Sequence, residues 1–130
     1  MKLFFTISLL LISTIGMTQT ESKNDIVDEI AEMVRDARVK DLSTLFDITV
    51  ELTIQERENA YSKAQAEIIL KTFFSKYPPK SFKVMHRGAS ERGGRYLIGL
   101  MECENGNSFR TSVVIIEKND QFVIQQLRFE

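Results

Sequence analysis

Residues 95–130 read RYLIGLMECENGNSFRTSVVIIEKNDQFVIQQLRFE, three apolar runs parted by ENGN and KNDQ. Their valines, isoleucines and aromatics suit a pleated, half-buried surface. Asn105-Gly106 and Asn119-Asp120 accept the positive φ that two-residue hairpin loops demand. The stretch predicts strands over 95–103, 108–117 and 121–129, folded as an antiparallel meander. A two-residue loop also fixes which residues stand opposite. It sets Ile98 against Val113 and Leu100 against Thr111 across the first turn, then Ile115 against Ile124 and Thr111 against Arg128 across the second. One face then collects Tyr96, Ile98, Leu100, Phe109, Val113, Ile115, Phe122 and Ile124, and is expected to be the core. At one end this face turns polar, with Glu102, Thr111, Gln126 and Arg128. The opposite face carries Leu97, Met101, Cys103, Val114, Ile116, Val123, Leu127 and Phe129.

Upstream, residues 81–89 form a further strand, preceded by Pro78-Pro79, which end the helix SKAQAEIILKTFFSKY because neither can donate to its ladder. Ser62 and Gln65 open that helix as a capping box. A first helix is predicted over 25–39, from apolar residues at helical spacing with acids early and bases late. Asp41 caps the short helical turn LSTLF. Ile48, Val50, Leu52 and Ile54 alternate with polar residues as a strand over 47–54, and QERENA at 55–60 reads as a polar turn. Helices placed early with a meander behind them mean an α+β fold, helices on one face of a curved antiparallel sheet.

The element order, the segment YSKAQAEIILKTFFSKYPPKSFKV and the ending FVIQQLRFE resemble a domain-of-unknown-function family of small secreted bacterial proteins, over roughly residues 25–130. The resemblance implies a nuclear transport factor 2-like fold, also called cystatin-like, of the type used by ketosteroid isomerases. It implies little about activity, since this architecture carries enzymes, ligand binders and interaction modules.

Residues 1–18 pair Lys2 with an apolar block and a small-residue end, the pattern of a cleaved signal peptide, too short for a permanent membrane span. A polar leader, 19–24, and one domain, 25–130, follow. A periplasmic or secreted product without stable membrane insertion is expected. The formal net charge of −1 offers no electrostatic case for nucleic acid. One cysteine excludes an intrachain disulfide, so the core must carry the stability.

The chemistry is sparse. His86 is the only histidine, and one histidine with one cysteine on separate strands lacks the ligands zinc needs, so neither metal nor cofactor is expected. Phe82, Val84 and His86 share one strand face, which sets His86 beside Ile98. A pocket between helices and sheet would then be lined by His86, Tyr96, Glu102, Thr111, Gln126 and Arg128, with Arg128 and Glu102 gripping a polar ligand group. A solvated rim with an ordinary ion pair accounts for the same residues. Likeness to ketosteroid isomerase implies an acid or histidine base opposed by a hydroxyl donor, here His86 with Tyr96 and Asp47. Asp47 lies on the wet side by parity, so no residue is assigned as catalytic. Strands apolar on both faces call for a second cover. Leu97, Met101, Val114, Ile116, Val123, Leu127 and Phe129 are therefore the expected homodimer surface, the alternative cover being the chain's own leader or loops. The reading is an exported, non-catalytic binding or interaction module taking an unidentified small molecule or envelope protein. The alternatives are a small isomerase or hydratase-like enzyme using His86 and Tyr96, and a pure interaction domain whose interior is filled by Phe73, Phe74 and Tyr77.

Overall fold

The computed structural model describes residues 25–90 and 92–130; the signal peptide and leader read at 1–24 lie outside the described residues. Helix α1, Ile26–Arg35, is capped by the Asp25 carboxylate, which accepts from the Val27 amide, and it buries Val27, Ile30 and Val34. Ala37 then takes a left-handed conformation, φ 53°, so the helix expected to run to residue 39 breaks and restarts as α2, Val39–Thr44. Strand β1, Phe46–Ile54, turns at Gln55 into β2, Arg57–Ser62, and the capping box of Ser62 and Gln65 opens α3, Lys63–Lys76. The meander follows as β3, Pro79–Ala89; β4, Arg95–Cys103; β5, Ser108–Lys118; and β6, Gln121–Phe129.

All six strands form one sheet in the order β2-β1-β6-β5-β4-β3, antiparallel except where β1 runs parallel to β6. The expected polar turn at 55–60 is mostly strand. As an edge strand, β2 leaves all but Tyr61 exposed, so no apolar alternation marks it. The other edge, β3, bears exposed Lys80 and Lys83.

Side-chain faces depart from the expected register at three places. Asn105-Gly106 is part of a three-residue loop: Cys103 and Asn107 are its hydrogen-bonded base, and Gly106 occupies the left-handed position at φ 87°. Leu97 therefore faces Val113 and Ile98 faces Ser112. One residue of slip turns the whole of β4 over. The second turn holds its two-residue form, with Asn119 and Asp120 both at positive φ and Ile115 opposite Ile124 as expected. Beyond it, Gln125 is an extra residue, so Val114 faces Gln126 and the rest of β6 is inverted. A bulge between Val84 and His86 likewise turns His86 outward, although it keeps Ile98 as its partner.

The inner face thus carries Leu97, Met101, Cys103, Phe109, Val113, Ile115, Ile124, Leu127 and Phe129, all buried beneath the helices. Leu97, Met101, Leu127 and Phe129, expected at a dimer surface, are core; Tyr96, Ile98 and Leu100, expected in the core, lie outside. In β1, Val50 and Leu52 point inward as read, but Ile48 is 81% exposed because the strand shifts register between Phe46 and Glu51. Gly99 sits on the inner face because a Cβ there would stand 2.5 Å from the Phe82 ring.

Under the helices the cone of the sheet is filled by aromatics around Phe73, whose ring centroid lies 4.9 Å from Phe129, 5.2 Å from Phe109, 5.4 Å from Tyr77 and 5.5 Å from Phe74. Such tilted and edge-on pairs add about 0.5 to 1.5 kcal/mol each beyond the area they bury. Phe73→Ala is expected to cost about 3–5 kcal/mol, read as a lower urea midpoint at unchanged slope. A cost below about 1 kcal/mol would show that the aromatic packing is not what seats α3.

Candidate functional site

Among the described residues no helix lies over the outer face of the sheet. One row across the strands runs Glu58, Thr53, Arg128, Ser112, Ile98, His86; the next runs Ala60, Glu51, Gln126, Val114, Tyr96, Gly88. Between and beside these rows stand Leu100, Ile116 and Val123. Ile98, Leu100, Val114, Ile116 and Val123 are only half-buried and make no part of the core cluster, while Tyr96 is 43% exposed. The Tyr96 ring lies flat over Gly88, where a Cβ would meet it at 2.4 Å.

Five of the six residues expected to line an interior pocket lie on this outer face. His86 is exposed, Tyr96 and Gln126 both belong to the second row, flanking Val114, and Glu102 and Arg128 do not meet. Arg128 is level with Ser112 and Glu102 with Ser108, four residues or about 13 Å apart along β5. Arg128 pairs instead with Glu130 at 2.5 Å, and Glu102 accepts from Ser81 at 3.5 Å. Thr111 alone points inward, buried, its hydroxyl donating to the Phe109 carbonyl at 3.3 Å. The interior pocket is therefore replaced by an open, mixed surface, for the reason already given: the three-residue turn and the bulges at Met85 and Gln125. Val114, Ile116 and Val123 do face outward, as the dimer reading expected.

The isomerase-like trio does not assemble. Asp47 accepts the Ile48 amide at 2.8 Å and the Lys118 ammonium at 3.1 Å, and these hold its carboxyl below the usual value of 3.8. Arg87 reaches from β3 to Asp28 of α1, with Asp25 at 3.8 Å, and its hydrogen bond depresses the Asp28 carboxyl in the same way. Cys103 is buried, and burial pushes its thiol up from the ordinary value, the opposite of a reactive thiolate. Among the described residues no three His, Cys, Asp or Glu side chains gather as metal ligands. No described helix is long and apolar enough to cross a membrane. Two buried polar atoms find no partner among the described residues: Thr53 Oγ1 and Arg128 Nε, on residues that face each other across β1 and β6.

A family model described as a domain of unknown function, DUF4783, matches residues 27–130. The chain belongs to this family. Among solved structures, a DUF4783 protein from Bacteroides uniformis aligns at 23% identity and a TM-score of 0.76, covering 82% of this chain and 96% of that one. A DUF4783 protein from Bacteroides ovatus aligns at 25% identity and a TM-score of 0.72, covering 77% and 89%. A variant of Rd1NTF2_05 aligns at 12% identity and a TM-score of 0.66, covering 81% and 93%. At that identity the likeness speaks of fold alone, and the DUF4783 fold is nuclear transport factor 2-like, as the sequence resemblance implied. No curated protein matches the chain.

Two outcomes test the site. His86→Gln is expected to leave stability within about 0.5 kcal/mol of the parent, because an exposed strand residue loses no packing; a larger loss in chemical denaturation would place the imidazole in a structural contact. Asp28 and Asp47, with carboxyls held below 3.8 in the folded chain, contribute stability that is complete above that value and lost as pH falls through it. Asp28→Asn with Asp47→Asn should flatten the acid branch of a stability–pH profile; an unaltered branch would assign acid unfolding to other carboxylates.

Proposed function

We propose that this DUF4783 protein is an exported, non-catalytic interaction module that pairs with a second copy of itself through the outer face of its sheet. Export rests on the signal-like segment at 1–18. The observation that carries the reading is the uncovered strip of Ile98, Leu100, Val114, Ile116 and Val123, set against an interior whose cavity is taken up by Phe73, Phe109, Phe129 and Tyr77. A filled cone favours a surface function over turnover in a pocket.

Charge on the face suits a two-fold. Glu51 and Glu58 lie toward the β1–β2 edge and Lys83 toward the β3 edge, with Arg128, Arg110 and Glu102 on the strands between. A copy rotated about β5 brings the acidic side of one face over the basic side of the other, the self-complementarity an isologous interface requires.

Sedimentation velocity should show a dimer for the parent and a monomer for Ile116→Asp, since a carboxylate buried in the strip has no counter-charge. A parent that sediments as a monomer, or a dimer that survives both Ile116→Asp and Val114→Asp, would overturn the reading.

A further inference from the structure

A concave feature lies away from the outer face, between α3 and the β1–β2 hairpin. It is a cleft of about 510 Å³, within the range of small-molecule sites. Its floor is Leu52 and Phe73, both buried, and its walls are Ile54, Tyr61, Ile69 and Tyr77. Across its mouth the Gln55 amide donates to the Tyr77 hydroxyl at 3.4 Å. The rim carries Ile68, 66% exposed, which no core contact explains, together with Thr72, Arg57 and Lys76.

The two rim cations decide the ligand chemistry. Neither Arg57 nor Lys76 makes an ion pair with a described carboxylate, whereas six of the other cations, Arg35, Arg38, Lys71, Arg87, Lys118 and Arg128, do. Lys76 instead holds its ammonium over the Tyr77 ring at 5.4 Å. An apolar, aromatic trough ending at unpaired cations fits a molecule with an apolar body and one anionic end.

We propose that the cleft between α3 and the β1–β2 hairpin binds a small amphiphilic carboxylate, its chain or ring lying on Leu52, Phe73 and Ile69 and its carboxylate at Arg57 and Lys76. The site is independent of the outer face, so it stands whether or not the chain dimerises. A monocarboxylate suits it better than a multiply charged anion, because the lining offers only two cations, Arg57 and Lys76, beside Leu52, Ile54, Ile69 and Phe73. The exposed Ile68 then has a role, as the lip against which the tail of a longer ligand lies.

The test is amide chemical-shift mapping of the ¹⁵N-labelled protein with three probes of equal chain: decanoate, decanol and decyltrimethylammonium. Decanoate is expected to give saturable shifts at Ile54, Tyr61, Ile69 and Phe73 and to bind tightest of the three. Arg57→Glu with Lys76→Glu should weaken decanoate by about fivefold or more while leaving decanol unchanged, since both cations sit on the exposed rim. Ile69→Trp, which fills the trough, should abolish binding of both. The proposal is overturned if decanoate gives no saturable shift, if its shifts fall only on outer-face residues such as Ile98 and Val114, or if decyltrimethylammonium binds as well as decanoate.

Discussion

The seating of Phe73 between Phe109 and Phe129 is the contact on which the rest of the molecule depends. It joins the last turn of α3 to the start of β5 and the end of β6, and Phe74 and Tyr77 extend the same cluster. A sheet curved by bulges would enclose a hollow; here that hollow is occupied by rings. Without a disulfide, the chain relies on this packing and on the aliphatic layer around Ile30, Leu42 and Leu97 for its stability. Plugging the cone also moves chemistry to the periphery, to a sheet surface on one side and to the α3–hairpin cleft on the other.

Those two peripheral features differ in kind. The outer face is broad, shallow and mixed, with apolar side chains between charged ones, the composition of a protein contact. The cleft is narrow and aromatic, with cations confined to one end. Tyr77 links the cleft to the core: it packs tilted against Phe73 and edge-on to Phe109, takes the Gln55 amide at its hydroxyl and forms one wall of the cleft. Residues that serve both packing and a cavity wall in this way rigidify the cavity, which limits the entropy lost when something enters it.

Element by element, much of this was legible in the chain itself. The capping box at Ser62 and Gln65, the stop at Pro78-Pro79 and the β-rich runs after it set α3 and the four-strand meander within a residue or two. Faces were harder. β5 was read correctly because its neighbours do not alter its own alternation. β4 was inverted by one extra residue in the Glu104–Gly106 turn, half of β6 by Gln125, and the end of β3 by Met85. Both faces of these strands are apolar, so hydrophobic alternation could not arbitrate between registers one residue apart. The interior pocket drawn from His86, Tyr96, Glu102, Gln126 and Arg128 failed for that reason alone. The cleft escaped notice because one wall, with Arg57 and Tyr61, lies on β2, a strand hidden by the polar sequence QERENA.

One further property follows from the seam between β1 and β6. Leu52 pairs with Leu127 and Ile54 with Phe129, so the strand formed earliest in the chain finds its hydrogen-bonding neighbour only in the final segment. Local hairpins can assemble quickly on either side, but joining them requires closing a loop that contains α3 and most of the meander. The sheet should therefore complete late and slowly, and a nascent chain would hold the exposed edge of β1 open until its last strand arrives. β2, short and strongly polar, already pairs with the other edge of β1 and bounds the sheet there, so only the β6 side of β1 stands open in the interval.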